Sequence, residues 1–448
     1  MSSAGLESRI SASDFATLLA TSLEQHGIRY CLLQGRDTLS DNGSNTVDLA
    51  VDQSNVARIF ATFRDLRTSG WNPVIVDDGA PGRLSIQVPF VQAPAVRFLM
   101  VNFIFELPAL AEASLADIMN SRRRMGTVWT ASVEHELAYL LIKRELEAGP
   151  VPRFEPALQR LLAELGLSRA RTIAEATLGK GCAAQLTQLY GSGPSADSLP
   201  FLSAAVRARH GFGSSVGWWR NVRCRSFRFL QRWLRPPGLF IVILGPDGVG
   251  KSTAVNQIVE ALSGLFREHH TFHCRPFIVR RLKQVQRPIG FPHILPPRSS
   301  LASMLFLLAY FLDCWLGYLL HTRNCLCRSG LVIFDRYFAD VLIDPERYRY
   351  GGPPWLPEFL CRFVPPANPL TLVLDADDDV IFGRKRELSP EELSYQREAY
   401  RRFAHGSTST VIIDTGTNLE RSRAKIVSVV LERLSQRTET RPLFLPFK

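Results

Sequence analysis

Leu239-Phe-Ile-Val-Ile-Leu244 runs without a break into Gly245-Pro-Asp-Gly-Val-Gly-Lys-Ser252. Six apolar residues that stop at a glycine-rich turn read as a buried strand, and the residues from there to about Leu262 suit a helix. Strand, loop and helix in that order are the context in which G-x-x-x-x-G-K-S cradles phosphate. Gly245, Gly248 and Gly250 let the backbone curl until its N–H groups and the helix amino terminus face the anion, where a Cβ would obstruct. Lys251 is expected to reach the β- and γ-phosphates of a nucleoside triphosphate, and the Ser252 hydroxyl to ligate Mg²⁺. The predicted nucleotide-contacting set is Gly245, Asp247, Gly248, Val249, Gly250, Lys251, Ser252 and Thr253.

Downstream, Leu331-Val-Ile-Phe-Asp-Arg-Tyr337 is an apolar strand ending in a carboxylate, at the sheet edge where α/β proteins place ligands. Asp335 could serve the metal or its waters, and Arg336 an acceptor phosphate or another anion; the alternative is a surface Asp–Arg pair behind a core strand. Further strands are predicted at Leu370–Leu374 and Thr410–Ile413, separated by helices, which gives a parallel sheet flanked on both faces. The variable positions of the glycine loop contain no arginine, so positive charge for phosphoryl transfer must come from elsewhere. Gly383-Arg-Lys-Arg386, before a helix at Glu391–Phe403, is the expected supplier through Arg384 and Arg386 as a mobile lid, unless it is a solvated basic loop.

Upstream, a helix capped by Ser13 and strands at Arg29–Gln34, Thr46–Val51, Pro73–Val76, Leu84–Val91 and Val96–Phe105 make an α+β unit over residues 1–105. Residues 106–205 read as helical, with apolar spacing such as Leu158, Leu161, Leu162 and Leu165. Residues 206–237 hold eight arginines interleaved with Trp218, Trp219, Phe227, Phe229 and Trp233 and no acid. That stretch suits either a peripheral contact with anionic lipid or polyanions, or a linker helix docked on an acidic face. The fourth segment is 238–448.

The 448 residues carry a net charge of +11, almost wholly from arginine, since only seven lysines are present. Phosphate, nucleic acid or an anionic membrane would suit such a surface, but so would an arginine-biased genome, and no nucleic acid partner is expected. Eight scattered cysteines without a CxxC pair indicate neither a disulfide framework nor a zinc site. A reducing cytoplasm fits, and the amino terminus lacks the pattern of a signal peptide. Leu301–Leu320 is long enough to span a bilayer, yet a central aspartate, Asp313, costs ~2.5–3.5 kcal/mol there, so a buried helix of a soluble protein is expected. His269, His270, His273 and Cys274 have no second ligand cluster in view, and no metal site is expected from them.

With G-P-D-G-V-G-K-S-T, then D-R-Y, then Arg384–Arg386, the segment from Pro236 to Lys448 resembles the thymidylate kinase family. The resemblance implies a five-stranded parallel core, Mg-ATP as donor, Asp247 facing the acceptor's sugar hydroxyl, Asp335 and Arg336 at the acceptor phosphate, and a lid carrying arginines. This chain departs from the family at His273-Cys-Arg-Pro-Phe277, at Leu312-Asp-Cys314 and after Tyr337, all segments that face the acceptor. The layout also resembles bacterial kinase-like proteins bearing an amino-terminal nucleotidyltransferase-like domain, in which Gln34-Gly-Arg36 and Asp48-Leu-Ala50 would stand for the metal-binding motif. Ala50 and Asn102 occupy positions where carboxylates are needed, so the resemblance implies a noncatalytic relic there.

The predicted architecture is therefore an α/β phosphate-loop unit preceded by an α+β domain and a helical region. The expected activity is ATP-dependent phosphoryl transfer to a small acceptor, with Lys251, Asp335, Arg336, Arg384 and Arg386 at the reaction centre and Ser252 and Asp335 at the metal. The resemblance favours a nucleoside monophosphate as the acceptor; a sugar or lipid carrier of surface polysaccharide synthesis is the alternative, and a nucleotide-gated binding protein without activity is the rival.

Overall fold

The computed structural model describes residues 12–34, 46–76, 82–92, 95–106, 115–146, 155–178, 226, 229–274, 296–385, 388–416 and 418–440. The chain divides into two units, Met1–Arg228 with Ser435–Lys448, and Phe229–Leu434. Most of the basic stretch 206–237, Arg275–Phe277 of the acceptor-facing segment, and Arg386 lie outside the described residues.

The first unit is built on a mixed sheet of β1 (Tyr30–Gln34), β2 (Thr46–Val51), β3 (Val74–Val76), β4 (Arg83–Gln92), β5 (Ala95–Ile104), β6 (Arg123–Met125) and β7 (Val128–Thr130), in the order β3-β4-β5-β2-β1-β7-β6. Helices Ala12–Gln25 and Val56–Thr68 bury Phe15, Leu23, Phe63 and Leu66 in a core with strand residues such as Leu49 and Phe103. Tyr139 and Ile142, from helix Val133–Leu146, join Cys31, Leu33 and Ala50 in another. Strands β6 and β7 come from the stretch predicted to be helical. They are three residues each and β6 is wholly exposed, so no alternation marks them in the sequence.

The second unit is a five-stranded sheet of β8 (Leu239–Leu244), β9 (His269–His273), β10 (Leu331–Asp335), β11 (Leu370–Asp375) and β12 (Thr410–Asp414), in the order β12-β11-β8-β10-β9. Every neighbouring pair is parallel. All six residues of β8 are buried, as a continuous apolar run in a central strand requires. Chain order reverses across β8, and at such a switch point the loops beyond the strand ends part to leave a crevice. Strand β9 was not expected: His-His-Thr-Phe-His is a mostly exposed edge strand whose one inward anchor, Phe272, stacks on Phe334 with centroids 4.9 Å apart.

The apolar helix expected over Leu301–Leu320 forms as Ser300–Gly317, a π-turn Tyr318–Thr322 and a last turn Arg323–Cys327. Asp313 is fully buried, but the helix is buried on one face only, which corrects the expectation of a core helix.

Candidate functional site

The carboxyl end of β8 turns into the glycine loop, and three glycines there take left-handed φ: +146° at Gly245, +86° at Gly248 and +104° at Gly250. Space is as tight as the torsions. A Cβ on Gly245 would sit 2.6 Å from the carbonyl oxygen of Leu374, and one on Gly248 would sit 3.0 Å from Cβ of Lys385. Helix Lys251–Leu262 then starts beneath the loop, with Val249 buried under it.

Lys251 folds back over this loop. Its Nζ donates to the carbonyls of Gly245 at 3.0 Å and Pro246 at 2.7 Å and to Oδ1 of Asp247 at 3.1 Å. Burial, and after it the neighbouring Arg336 charge, lower its pKa to about 8.

Asp247 gathers three cations. Besides Lys251, it accepts from Nη2 of Arg336 at 2.6 Å and from Nη2 of Arg347 at 2.5 Å. Burial alone would raise its pKa, but Lys251, Arg336 and Arg347 outweigh that and hold the carboxyl well below the usual carboxylate range.

Arg336 is only 1% exposed. Its guanidinium also donates to both oxygens of Asp340, at 3.2 and 2.9 Å, and to the Tyr400 hydroxyl at 3.0 Å. Asp340, fully buried, accepts in addition from the hydroxyls of Tyr400 at 2.6 Å and Tyr348 at 3.0 Å. Arg336 has φ +69°, a conformation that costs a non-glycine residue of order 1–3 kcal/mol and persists only where its surroundings enforce it. Arg347 extends the network, donating through Nε to Asp344 at 3.1 Å, and Asp344 accepts from Nε2 of Gln396 at 2.7 Å.

Asp335 ends β10. Its Oδ2 lies 3.4 Å from Nδ1 of His273 on the edge strand, and this contact raises the histidine pKa. Oδ1 is buried and has no hydrogen-bond partner among the described residues. A lone carboxylate oxygen of this kind fits a divalent cation or one of its waters.

On the opposite side of the loop, helix Asp378–Arg384 delivers Arg384, whose guanidinium donates to the carbonyls of Val249 at 3.5 Å and Thr415 at 3.1 Å. The Thr415 hydroxyl donates to the same Val249 carbonyl at 2.7 Å.

These groups enclose a cavity of about 630 Å³ lined by residues 247–254, His273, Asp335, Arg384, Lys385 and Thr415 among others. Of the predicted residues, the structure brings together Asp247, Gly248, Val249, Gly250, Lys251, Ser252, Thr253, Asp335 and Arg384 on its wall. Arg336 stands behind Asp247 instead, enclosed by its four side-chain contacts. Asp340, Asp344, Arg347, Tyr400 and Thr415 were not singled out from sequence. The Arg336–Asp340 spacing of four and the Asp344–Arg347 spacing of three were the available signals.

A second cavity, about 640 Å³, opens between residues 342–346 and helix Pro390–His405 and is lined by Asp344, Glu346, Glu391, Glu392, Tyr395 and Gln396 with Arg402 among others. Gln396 turns its Nε2 to Asp344, and its buried Oε1 has no hydrogen-bond partner among the described residues.

In the first unit, Asp48 lies on β2 directly opposite Asn102 of β5. Its Oδ1 accepts from Asn102 at 2.6 Å, and its Oδ2 from the Tyr139 hydroxyl at 2.8 Å and from Lys143. The carboxylate is fully buried and neutralised by a lysine of its own chain.

No family model and no curated protein matches this chain. The crystal structure of thymidylate kinase from Ehrlichia chaffeensis is similar to it at 17% identity and TM-score 0.32, over 43% of this chain and 98% of that one.

Proposed function

We propose that the second unit is a phosphate-loop kinase that transfers the γ-phosphoryl group of Mg-ATP to a small acceptor. The observation that carries this reading is the meeting, around one 630 Å³ cavity, of a three-glycine loop with no room for a Cβ at Gly245, of Lys251, and of the Asp335 Oδ1 that has no partner among the described residues. Mg-ATP, when bound, supplies the transferable phosphoryl group and the divalent charge that eases its departure.

The chain's own residues do the rest. The loop N–H groups and Lys251 bind the phosphates, Ser252 and Asp335 would hold the metal or its waters, and Thr253 continues the anion-facing helix turn. Lys251 Nζ donates to two loop carbonyls and to Asp247, and a bound phosphate would take over from the neutral carbonyls as a charged acceptor. Arg384 lies beside the loop on an exposed helix end, where a small movement brings its charge over the phosphates; Arg386 would belong to the same lid.

A hydroxyl-rich acceptor, such as a sugar or its lipid-linked form, is the reading we favour over a nucleoside monophosphate. Arg336, which the family resemblance assigns to an acceptor phosphate, is almost fully buried and already engaged by Asp247, Asp340 and Tyr400. The neighbouring cavity is lined by four carboxylates and the buried Gln396 amide oxygen against one arginine, Arg402, a negative lining that disfavours a phosphate. The first unit is read as an accessory domain without transferase chemistry, because Lys143 occupies the one carboxylate that a metal would need. ADP release with sugars and with nucleoside monophosphates as competing acceptors tests the assignment.

A further inference from the structure

We propose that the outward face of helix Ser300–Gly317 and its continuation to Leu320 beds into the surface of an anionic lipid bilayer. The helix is patterned inside out. Its inward face packs Leu307, Tyr310 and Cys314 into the core and also buries the polar Ser303 and Asp313, whereas Leu301, Leu305, Leu308, Leu312, Leu316 and Leu319 form its outward face and are 69, 62, 46, 53, 42 and 45% exposed. These six recur at helical spacing, so they form one stripe. Water-facing helices place their polar residues outward; polar groups on the packed side and leucines on the open side are the arrangement of a helix in contact with lipid.

The stripe does not stand alone. Helix Trp355–Cys361 packs against the same helix and exposes Trp355 and Phe359, aromatic residues suited to the headgroup level. At the other end, Arg323 donates to the carbonyl of Trp233, which fixes a segment exposing Phe229, Leu230 and Leu234.

Charge selects the occupant. The described residues 296–334 hold three arginines, Arg298, Arg323 and Arg328, and one acid, the buried Asp313. A second copy would bring Arg298, Arg323 and Arg328 towards an identical set of cations, whereas anionic headgroups complement them. The helix is apolar and long enough to cross a membrane, yet the Tyr310 hydroxyl is tied to the carbonyl of Cys274 at 2.7 Å and Cys314 packs in the core. It lies on the bilayer with its inner face held by the protein.

The experiment is flotation of the full chain with vesicles of phosphatidylcholine alone and of phosphatidylcholine with about 30 mol% phosphatidylglycerol. The protein is expected to float with the anionic vesicles, and Leu305→Glu with Leu312→Glu to lower the bound fraction about tenfold or more. Leu305→Gln with Leu312→Gln should act in the same direction, and unchanged melting temperatures show that each pair still folds. Absence of flotation with anionic vesicles, or equal flotation of the wild type and the folded Glu pair, overturns the proposal. A dimer in light scattering that the Glu pair dissociates, without vesicle binding, also overturns it and assigns the face to a second copy.

Discussion

Arg336 and Asp247 meet at 2.6 Å across 89 residues of chain, guanidinium Nη2 donating to carboxylate Oδ1. This contact ties the glycine loop after β8 to the turn after β10, and it places a buried arginine behind the cavity that the loop lines. The loop is thereby held from below through Asp247, the same carboxylate that accepts from Lys251.

Replacing Arg336 should be costly in a way that surface ion pairs are not. Arg336→Leu leaves Asp340 buried without its cation, and removal of one partner from a buried pair costs about 3–5 kcal/mol. Tyr400→Phe removes a single hydroxyl from the same network and should cost about 1 kcal/mol. Chemical denaturation of the two variants, monitored on the second unit, measures the difference.

The two glycines at the ends of the loop should respond differently to alanine. At Gly245 a Cβ meets backbone at 2.6 Å, whereas at Gly250 no atom lies within 4 Å and only the φ of +104° is at stake. Gly245→Ala should abolish nucleotide binding and lower the melting temperature; Gly250→Ala should cost about 1–2 kcal/mol of strain and weaken binding partially. Titration with a fluorescent ATP analogue separates them.

Nucleotide affinity should fall at alkaline pH. The charged form of Lys251 binds phosphate, and its pKa without ligand is lowered to about 8 by burial and by Arg336. Binding is then at full strength below that value and weakens as pH rises through it, up to about tenfold per unit, because a proton must be taken up with the ligand. Lys251→Met should remove this dependence together with most of the affinity. Calorimetry between pH 7 and 10 reads both effects.

Asp335→Asn should raise the Mg²⁺ concentration needed for half-maximal nucleotide binding, with little change in the affinity for metal-free nucleotide. The Oδ1 atom that has no partner among the described residues is then replaced or neutralised, while no hydrogen bond of Lys251 is removed; the comparison is made at about pH 7, because the Asp335 charge also helps to keep Lys251 protonated. An unchanged Mg²⁺ requirement would remove Asp335 from the metal site.

In the first unit, Lys143→Met strands Asp48 in a buried position and should destabilise by about 3–5 kcal/mol, whereas adding Asp48→Asn should recover much of the loss. Phosphoryl transfer by the second unit is expected to be the same in the double variant as in the wild type.

Local chemistry made much of this legible in the sequence. The run Leu239–Leu244 into Gly245–Ser252 and the run Leu331–Asp335 each carry strand, turn and polar ending within a dozen residues, and both form as expected. The five strands predicted for the first unit, β1 to β5, likewise fall within two residues of their expected bounds, whereas β6 and β7 do not show in the sequence. What sequence did not give is the pairing of charges. Arg347 finds Asp247 over 100 residues and Tyr400 finds Asp340 over 60, partners that no spacing rule selects. Strand β9 was equally hidden, because an exposed edge strand needs no apolar alternation. The helix at Ser300 misled in a third way: composition reports how apolar a helix is, not which of its faces is covered.

The most direct test is ADP release from Mg-ATP by the purified chain, offered sugars, polyprenyl-linked sugars, nucleosides and nucleoside monophosphates in turn, with Lys251→Ala as control. Turnover that depends on a hydroxyl-rich acceptor and vanishes in the variant is the expected result. Tight, Lys251-dependent ATP binding with no turnover on any acceptor would contradict a kinase and leave a nucleotide-gated binding protein.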